Sequence, residues 1–171
     1  RNPFKAIEVY GLDIVKREDL KEDNIFFEKA NLITEKIPFE NNSFDSISAY
    51  DFLEHVPRVA VDQGNTYFPF INLMNEVYRT LKNGGEFYAI TPLYPMEIAF
   101  VDPTHVNFIS KNTYKYFTEP NLWAKMYGFE GKFEISRIKR VNFDTETNNE
   151  RTTFKKILLH FLNFIYSKRK Q

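Results

Sequence analysis

The sequence predicts an α/β domain with a doubly wound parallel sheet, and three observations carry that prediction. Short β-branched and aromatic runs recur at 6–12, 44–50 and 86–91. A 3.6-residue apolar stripe lies between the last two of them. Asn83-Gly84-Gly85 separates the stripe from the final run. Strand, loop, strand, helix, tight turn and strand, in that order, is the pattern of a parallel sheet with helices on its faces. A chain of 171 residues suits one such unit and can bury most of the surface it exposes when unfolded.

Taken in order, residues 6–12 (Ala-Ile-Glu-Val-Tyr-Gly-Leu) read as a buried strand that ends on Asp13. A second apolar run, 25–27, precedes Asn31 and Leu32. Residues 37–43 read as a loop, because Pro38 lacks an amide donor and Asn41, Asn42 and Ser43 favour turns. The strand at 44–50 follows. Across 66–82 the apolar residues Phe70, Leu73, Met74, Val77, Tyr78 and Leu81 fall on one helical face. Gly84-Gly85 ends that helix, since glycine enters the left-handed region without a Cβ penalty. The strand at 86–91 is closed by Pro92.

Beyond Pro92 the stretch 93–105 is rich in proline and aromatics and has no period, so it reads as a long loop of the kind that carries function. Short helices are expected at 111–117 and 121–127, and a strand at 132–143. Residues 145–151 are polar and loop-like. From 155 to 166 the residues Ile157, Leu158, Phe161, Leu162 and Ile165 form a helical stripe that runs into Ser167-Lys168-Arg169-Lys170. The expected organisation is a domain over 1–143 and a polar loop with an amphipathic C-terminal helix over 144–171.

Composition narrows the function. Hydrophobic residues at 43% and charged residues at 27% are ordinary globular usage. The 17% aromatic content, with 18 Phe and 10 Tyr, either fills a core or lines a ring-rich pocket. Lys and Arg total 23 against 23 Asp and Glu, so no long positive field is available to attract nucleic acid. The absence of cysteine removes disulfides, thiolate metal sites and a thiol nucleophile, and points to a reducing, cytoplasmic setting. No apolar run approaches the roughly 18 residues of a membrane span, and Arg1-Asn2-Pro3-Phe4 is neither a signal segment nor a Met start, so sequence is expected to precede Arg1.

In open α/β sheets ligands bind outside the carboxyl ends of the strands, which directs attention to the residues there. Asp13 offers a carboxylate to a pair of ribose hydroxyls, or is a solvated turn residue. Asn31 offers an amide to an adenine edge, or forms a turn. Asp51 follows the third strand, where it can cap a helix over Phe52-Leu53-Glu54-His55. His105, in Asp102-Pro103-Thr104-His105-Val106-Asn107-Phe108, can take a proton from an acceptor hydroxyl or amine, or else ties the loop to backbone. His55 reads as a packing residue and His160 as part of the C-terminal stripe. No His pair has ligand spacing, so no metal is expected unless Asp102, His105 and His55 converge.

Taken together, Val9-Tyr10-Gly11-Leu12-Asp13-Ile14, Ala30-Asn31-Leu32, Ile37-Pro38-Phe39, Asn42-Ser43-Phe44-Asp45, Tyr50-Asp51-Phe52-Leu53-Glu54-His55-Val56 and Asn75 to Phe87 resemble the consecutive motifs of class I S-adenosylmethionine-dependent methyltransferases of the type 11 kind. The resemblance covers roughly residues 6–92. It implies a Rossmann-like sheet, S-adenosylmethionine as cofactor, and methyl transfer to a small-molecule or carbohydrate-like acceptor. By it, Asp13 and the adjoining Ile14 would hold the ribose, Asn31 and Leu32 would border the adenine, and Tyr50 and Asp51 would sit beside the methionine part. His105 is then the candidate base.

The sequence departs from the family where Asn83 replaces the usual Pro and Asn31 the commoner Asp. Its largest departure is at the start, where no strand and glycine-rich loop precede Asp13 and Gly11 is the first glycine. The resemblance therefore implies a sheet missing its first strand, and either an incomplete enzyme or a non-catalytic binding or scaffold module that has lost the cofactor loop. A homo-oligomer is one way to fill such a gap. The basic amphipathic C-terminal helix would either dock on a partner or an anionic membrane, or pack on the domain.

Overall fold

The structure, a computed structural model, describes residues 4–16, 25–141 and 162–169. Its elements are β1 (Val9–Asp13), β2 (Ile25–Lys29), β3 (Phe44–Tyr50), β4 (Ala60–Asp62), β5 (Asn65–Tyr67), α1 (Pro69–Thr80), β6 (Leu81–Pro92), α2 (Ile98–Val101), β7 (Phe133–Val141) and β8 (Leu162–Arg169), with 3-10 turns at Leu53–His55, Thr113–Phe117 and Trp123–Tyr127. β1 and β2 pair in parallel, from Val9 opposite Ile25 to Asp13 opposite Lys29. A four-stranded sheet runs in the order β3-β6-β8-β7, with β3 parallel to β6 and β8 antiparallel to both of its neighbours.

Among the described residues β1 and β3 share no ladder, so the sheet is broken between them. The break falls beside the first strand of the chain, where the sequence leads one to expect a missing neighbour. Rings bridge it in place of backbone hydrogen bonds: Tyr10 of β1 meets Phe39 at 5.2 Å and Phe44, the first residue of β3, at 5.8 Å between centroids. The arrangement is that of a truncated, doubly wound Rossmann-like sheet.

The helix forms where the stripe predicts it. Pro69 sits in the first turn, where its missing amide costs nothing, and Phe70, Ile71, Leu73, Met74 and Val77 are buried against the sheet. It begins later than expected because Thr66 belongs to the hairpin of β4 and β5. Gln63 and Gly64 at its tip have φ of 47° and 81°, the pair of positive values a two-residue hairpin turn with right-handed strand twist requires. After Thr80 the chain enters β6 directly. Leu81 pairs with Phe44 and Glu86 with Ser46, so the intervening residues bulge out at Gly84, whose φ is 76°.

Part of the aromatic surplus is core, while Tyr10, Phe26, Tyr94, Phe100, Tyr116, Trp123 and Tyr127 are exposed. Phe70, Phe117, Phe129 and Phe133 pack in a chain of ring contacts, with centroids 5.6, 5.0 and 5.9 Å apart in turn. Leu53, Val56, Met74, Leu81, Phe87 and Ile109 close the same core. The short helices expected at 111–117 and 121–127 appear as the two 3-10 turns, and the strand at 132–143 as β7.

The expected C-terminal helix is corrected by the structure: Leu162–Arg169 is a strand inserted between β6 and β7. A short run containing Phe164, Ile165 and Tyr166 has high strand propensity, and the slot between two parallel strands pairs every backbone group of one antiparallel strand. This segment is thus part of the main sheet, not an appended amphipathic helix, and the membrane-docking reading loses its basis there. The polar loop at 145–151, the first part of the stripe and His160 lie outside the described residues. No helix among the described residues is long and apolar enough to cross a membrane.

Candidate functional site

The turns that follow the first two strands are fastened to each other. Asp13 Oδ1 accepts a hydrogen bond from the Val15 amide at 3.0 Å, and the Asp13 carbonyl accepts one from the Ala30 amide at 2.9 Å. Asn31 Oδ1 accepts from the Ile33 amide at 3.2 Å while the Asn31 amide donates to Glu35 Oε2 at 2.8 Å. Each side chain thus forms a turn and also stands at the carboxyl end of a parallel strand. Leu32 is half-buried against the core, and Ile14 is exposed.

At the end of β3, the Tyr50 ring rests on Tyr88 with 5.5 Å between centroids. Asp51 has a φ of 46°, which few non-glycine residues adopt, and its amide donates to the Ile90 carbonyl at 3.0 Å. The expected helix cap is corrected here. Phe52 occupies the cap position of the 3-10 turn Leu53–His55, and no side chain caps it. Asp51 is held instead by the β6 backbone, which leaves it in a left-handed bend at the strand's edge, a conformation often kept for function.

The loop after α2 folds over this 3-10 turn. The amides of Val106 and Asn107 both donate to the Glu54 carbonyl at 2.9 Å. Asn107, fully buried, donates from Nδ2 to the Leu53 carbonyl at 3.1 Å and accepts from Arg58 Nε at 2.6 Å. Arg58 also donates to the Phe108 carbonyl. His105 is thereby brought against His55, with ring centroids 4.8 Å apart at 71°.

His105 Nδ1 lies 3.1 Å from the Ala99 carbonyl, which can only accept, so Nδ1 carries the proton and Nε2 the lone pair. His55 Nδ1 lies 3.0 Å from Thr104 Oγ1 and 3.3 Å from the Thr104 carbonyl. Thr104 Oγ1 spends its own proton on Asp102 Oδ1 at 2.6 Å, so His55 too donates from Nδ1 and keeps its lone pair on Nε2. Those Thr104 hydrogen bonds hold the exposed Asp102 carboxyl below the usual range.

Glu54 completes the cluster. Only 3% exposed, its two carboxylate oxygens are buried and meet no hydrogen-bond partner from elsewhere in the described residues. Burial, reinforced by the nearby charges of Asp51 and Asp102, pushes its carboxyl up to about 8. Thr91 Oγ1 and the Tyr114 hydroxyl are also buried, and each faces the other. Burial, with the Glu54 charge in the same direction, holds that hydroxyl above its ordinary range.

His105 and Asp51 were readable in the sequence; Glu54 was not, although a carboxylate between Leu53 and His55 on a short turn was the available signal. An open groove, lined in part by Asn41, Asn72, Asn75 and Arg79, shares Leu32 with the expected site residues but contains none of Asp13, Ile14, Asn31, Tyr50, Asp51 or His105.

Parallel pairing of β1 with β2 and of β3 with β6, with polar residues at the carboxyl ends of these strands, is the arrangement of the open α/β class, in which ligands sit at those ends. The profile of the family described as methyltransferase domain matches residues 4–89, half of the chain, and the chain belongs to that family. Solved structures agree in fold. The complex between the Haloferax volcanii Trm112 methyltransferase activator and a methyltransferase matches at a TM-score of 0.62 and 14% identity, over 96% of this chain and 73% of that one. An S-adenosylmethionine-dependent methyltransferase from Listeria monocytogenes matches at 0.58 and 13%, over 96% and 80%. Another from Mesorhizobium loti matches at 0.56 and 16%, over 95% and 80%. No curated protein matches the chain.

The family implies S-adenosylmethionine, and the chemistry of the donor set fits part of it. A carboxylate at the end of β1 and an amide just past β2 suit a ribose and an adenine, and Asp51 in its left-handed bend suits an ammonium group. The glycine-rich loop that would receive the methionine carboxylate has no counterpart among these 171 residues.

Proposed function

We propose that the chain binds S-adenosylmethionine along the carboxyl ends of β1, β2 and β3 and serves methyl transfer to a small-molecule or carbohydrate-like acceptor, in a cytoplasmic setting. The observation that carries the reading is the placement of Asp13, Asn31 and Asp51 at three successive strand ends within the segment that belongs to the methyltransferase family.

When bound, the cofactor supplies an already activated methyl group on its sulfonium. The protein's share is alignment and removal of the acceptor's proton. The Asp13 carboxylate accepts hydrogen bonds from the two ribose hydroxyls, with Ile14 flanking them. The Asn31 side chain reads an edge of the adenine, and Leu32 packs on its face. Tyr50 and Asp51 border the methionine part, with the Asp51 carboxylate facing its ammonium. His105 takes the acceptor proton at Nε2. Ala99 fixes its ring through Nδ1, and Asp102 Oδ2, 3.9 Å from Nε2, stabilises the imidazolium that results.

A second reading, a binding or scaffold module that does not turn over, is favoured by one observation, the absence of a ladder between β1 and β3 among the described residues. Calorimetric titration of S-adenosylhomocysteine separates the two. Saturable binding that Asp13→Ala weakens at least about tenfold, the scale of one charge-assisted hydrogen bond, supports the first reading. Absence of binding supports the second.

A further inference from the structure

We infer that Glu54, His55 and His105 form a binding site for one divalent transition-metal ion at the carboxyl end of β3. One donor atom from each of the three lies within 4.8 Å of the others. A cation with bonds of about 2.0 to 2.2 Å would draw them together by roughly an ångström, a change small enough for side-chain rotation.

Two independent features mark these groups as ligands. The first is the Glu54 carboxyl group, only 3% exposed and within 4.8 Å of a ring nitrogen of each of two imidazoles, with no hydrogen-bond partner for either oxygen from elsewhere among the described residues. A carboxylate without a partner is costly to bury, and a cation is the group that would satisfy both oxygens at once. The second is the tautomer of each histidine. His105 spends Nδ1–H on the Ala99 carbonyl and His55 spends Nδ1–H on Thr104, which is itself held by Asp102. This is the outer arrangement by which proteins orient imidazole ligands, and it leaves the lone pair of each ring on Nε2.

The ligand chemistry narrows the ion. Two imidazoles and one carboxylate, in a chain without cysteine, suit zinc and the other later first-row divalent ions; calcium and magnesium prefer all-oxygen sites. Asp102, whose Oδ2 lies 3.9 Å from His105 Nε2, is a candidate fourth ligand. Three protein ligands with a further open position leave room for water or an acceptor oxygen, which the ion would make more acidic. With the ion bound, His105 is a ligand rather than a base. The inference does not rest on the methyl-transfer reading, because metal binding is read without cofactor or acceptor.

The test is calorimetric titration of zinc into the chelator-treated full chain and into Glu54→Gln, His105→Ala and His160→Ala, with circular dichroism verifying that each variant is folded. One equivalent of zinc should bind, Glu54→Gln and His105→Ala should each weaken it at least about tenfold, and His160→Ala should leave it unchanged. Cobalt(II) added to the unmutated chain gives a second readout that needs no variant, a visible absorption band lost on adding zinc. Absence of saturable zinc binding and of the cobalt band, or zinc binding that Glu54→Gln leaves unchanged, overturns the site.

Discussion

The imidazole rings of His55 and His105 meet edge to face, 4.8 Å apart between centroids, although 50 residues of sequence, including α1 and β6, separate them. The loop after α2 makes this contact by anchoring two successive amides on the Glu54 carbonyl. Asn107 is the staple, since its side chain satisfies the Leu53 carbonyl from one end and Arg58 from the other.

Asn107→Ala should therefore destabilise the protein by about 1–3 kcal/mol, because it removes a buried hydrogen bond to the Leu53 carbonyl and the charge-assisted one from Arg58 Nε, leaving Arg58 only the Phe108 carbonyl. Chemical denaturation measures this. A loss below about 0.5 kcal/mol, the range of ordinary surface changes, would show that the loop is held elsewhere.

Glu54 makes stability depend on pH. Its folded carboxyl is raised from 4.5 to about 8 by burial, so between those values the folded state holds a proton that the unfolded state has released. Stability is then highest below about pH 4.5 and falls as pH rises toward 8. Thermal unfolding of the chelated protein across that window should show the decline, and Glu54→Gln should flatten it. Identical profiles for the two proteins would place the ionisation elsewhere.

Arg79 joins α1 to the loop before β3. It donates to Glu76 at 2.6 and 3.0 Å, to the Phe39 and Ile37 carbonyls at 2.8 and 2.9 Å, and to Asn41 Oδ1 at 3.0 Å. Arg79→Lys keeps the charge but cannot form this fork, and should cost about 1–3 kcal/mol in an unfolding titration. An unchanged midpoint would mean that the loop is held by its own turns.

Gly85 is a close backbone approach. A Cβ there would lie 2.8 Å from the Lys82 carbonyl oxygen and 3.1 Å from that of Asp45. Gly85→Ala should destabilise by about 1–3 kcal/mol, since backbone rather than a flexible side chain must move. A melting temperature equal to that of the unmutated protein would contradict the pairing drawn between β3 and β6.

How much of this was legible depended on the kind of signal. β3 runs over 44–50 as its composition predicts, and α1 over 69–80, because a two-residue and a 3.6-residue period cannot be exchanged. The β4–β5 hairpin leaves little trace in the sequence because its turn is Gln63-Gly64 rather than the stronger Asn-Gly, and its strands are three residues each. β8 differs from the expected helix because a short apolar run fits either period, and only the slot between β6 and β7 decides for strand. At the site, Asp51 and His105 were visible as residues. Their surroundings were not, since the unpartnered Glu54 and the paired imidazoles arise from a loop contact across 50 residues.

The central claim is that this methyltransferase-family chain holds its cofactor through the carboxylate at the end of β1. Calorimetric titration of S-adenosylhomocysteine into the chain and into Asp13→Ala tests it most directly. The account predicts saturable binding at one site, weakened at least about tenfold by the substitution, as expected for the loss of a charge-assisted pair of hydrogen bonds. Equal affinity of the two proteins, or no binding by either, would contradict it.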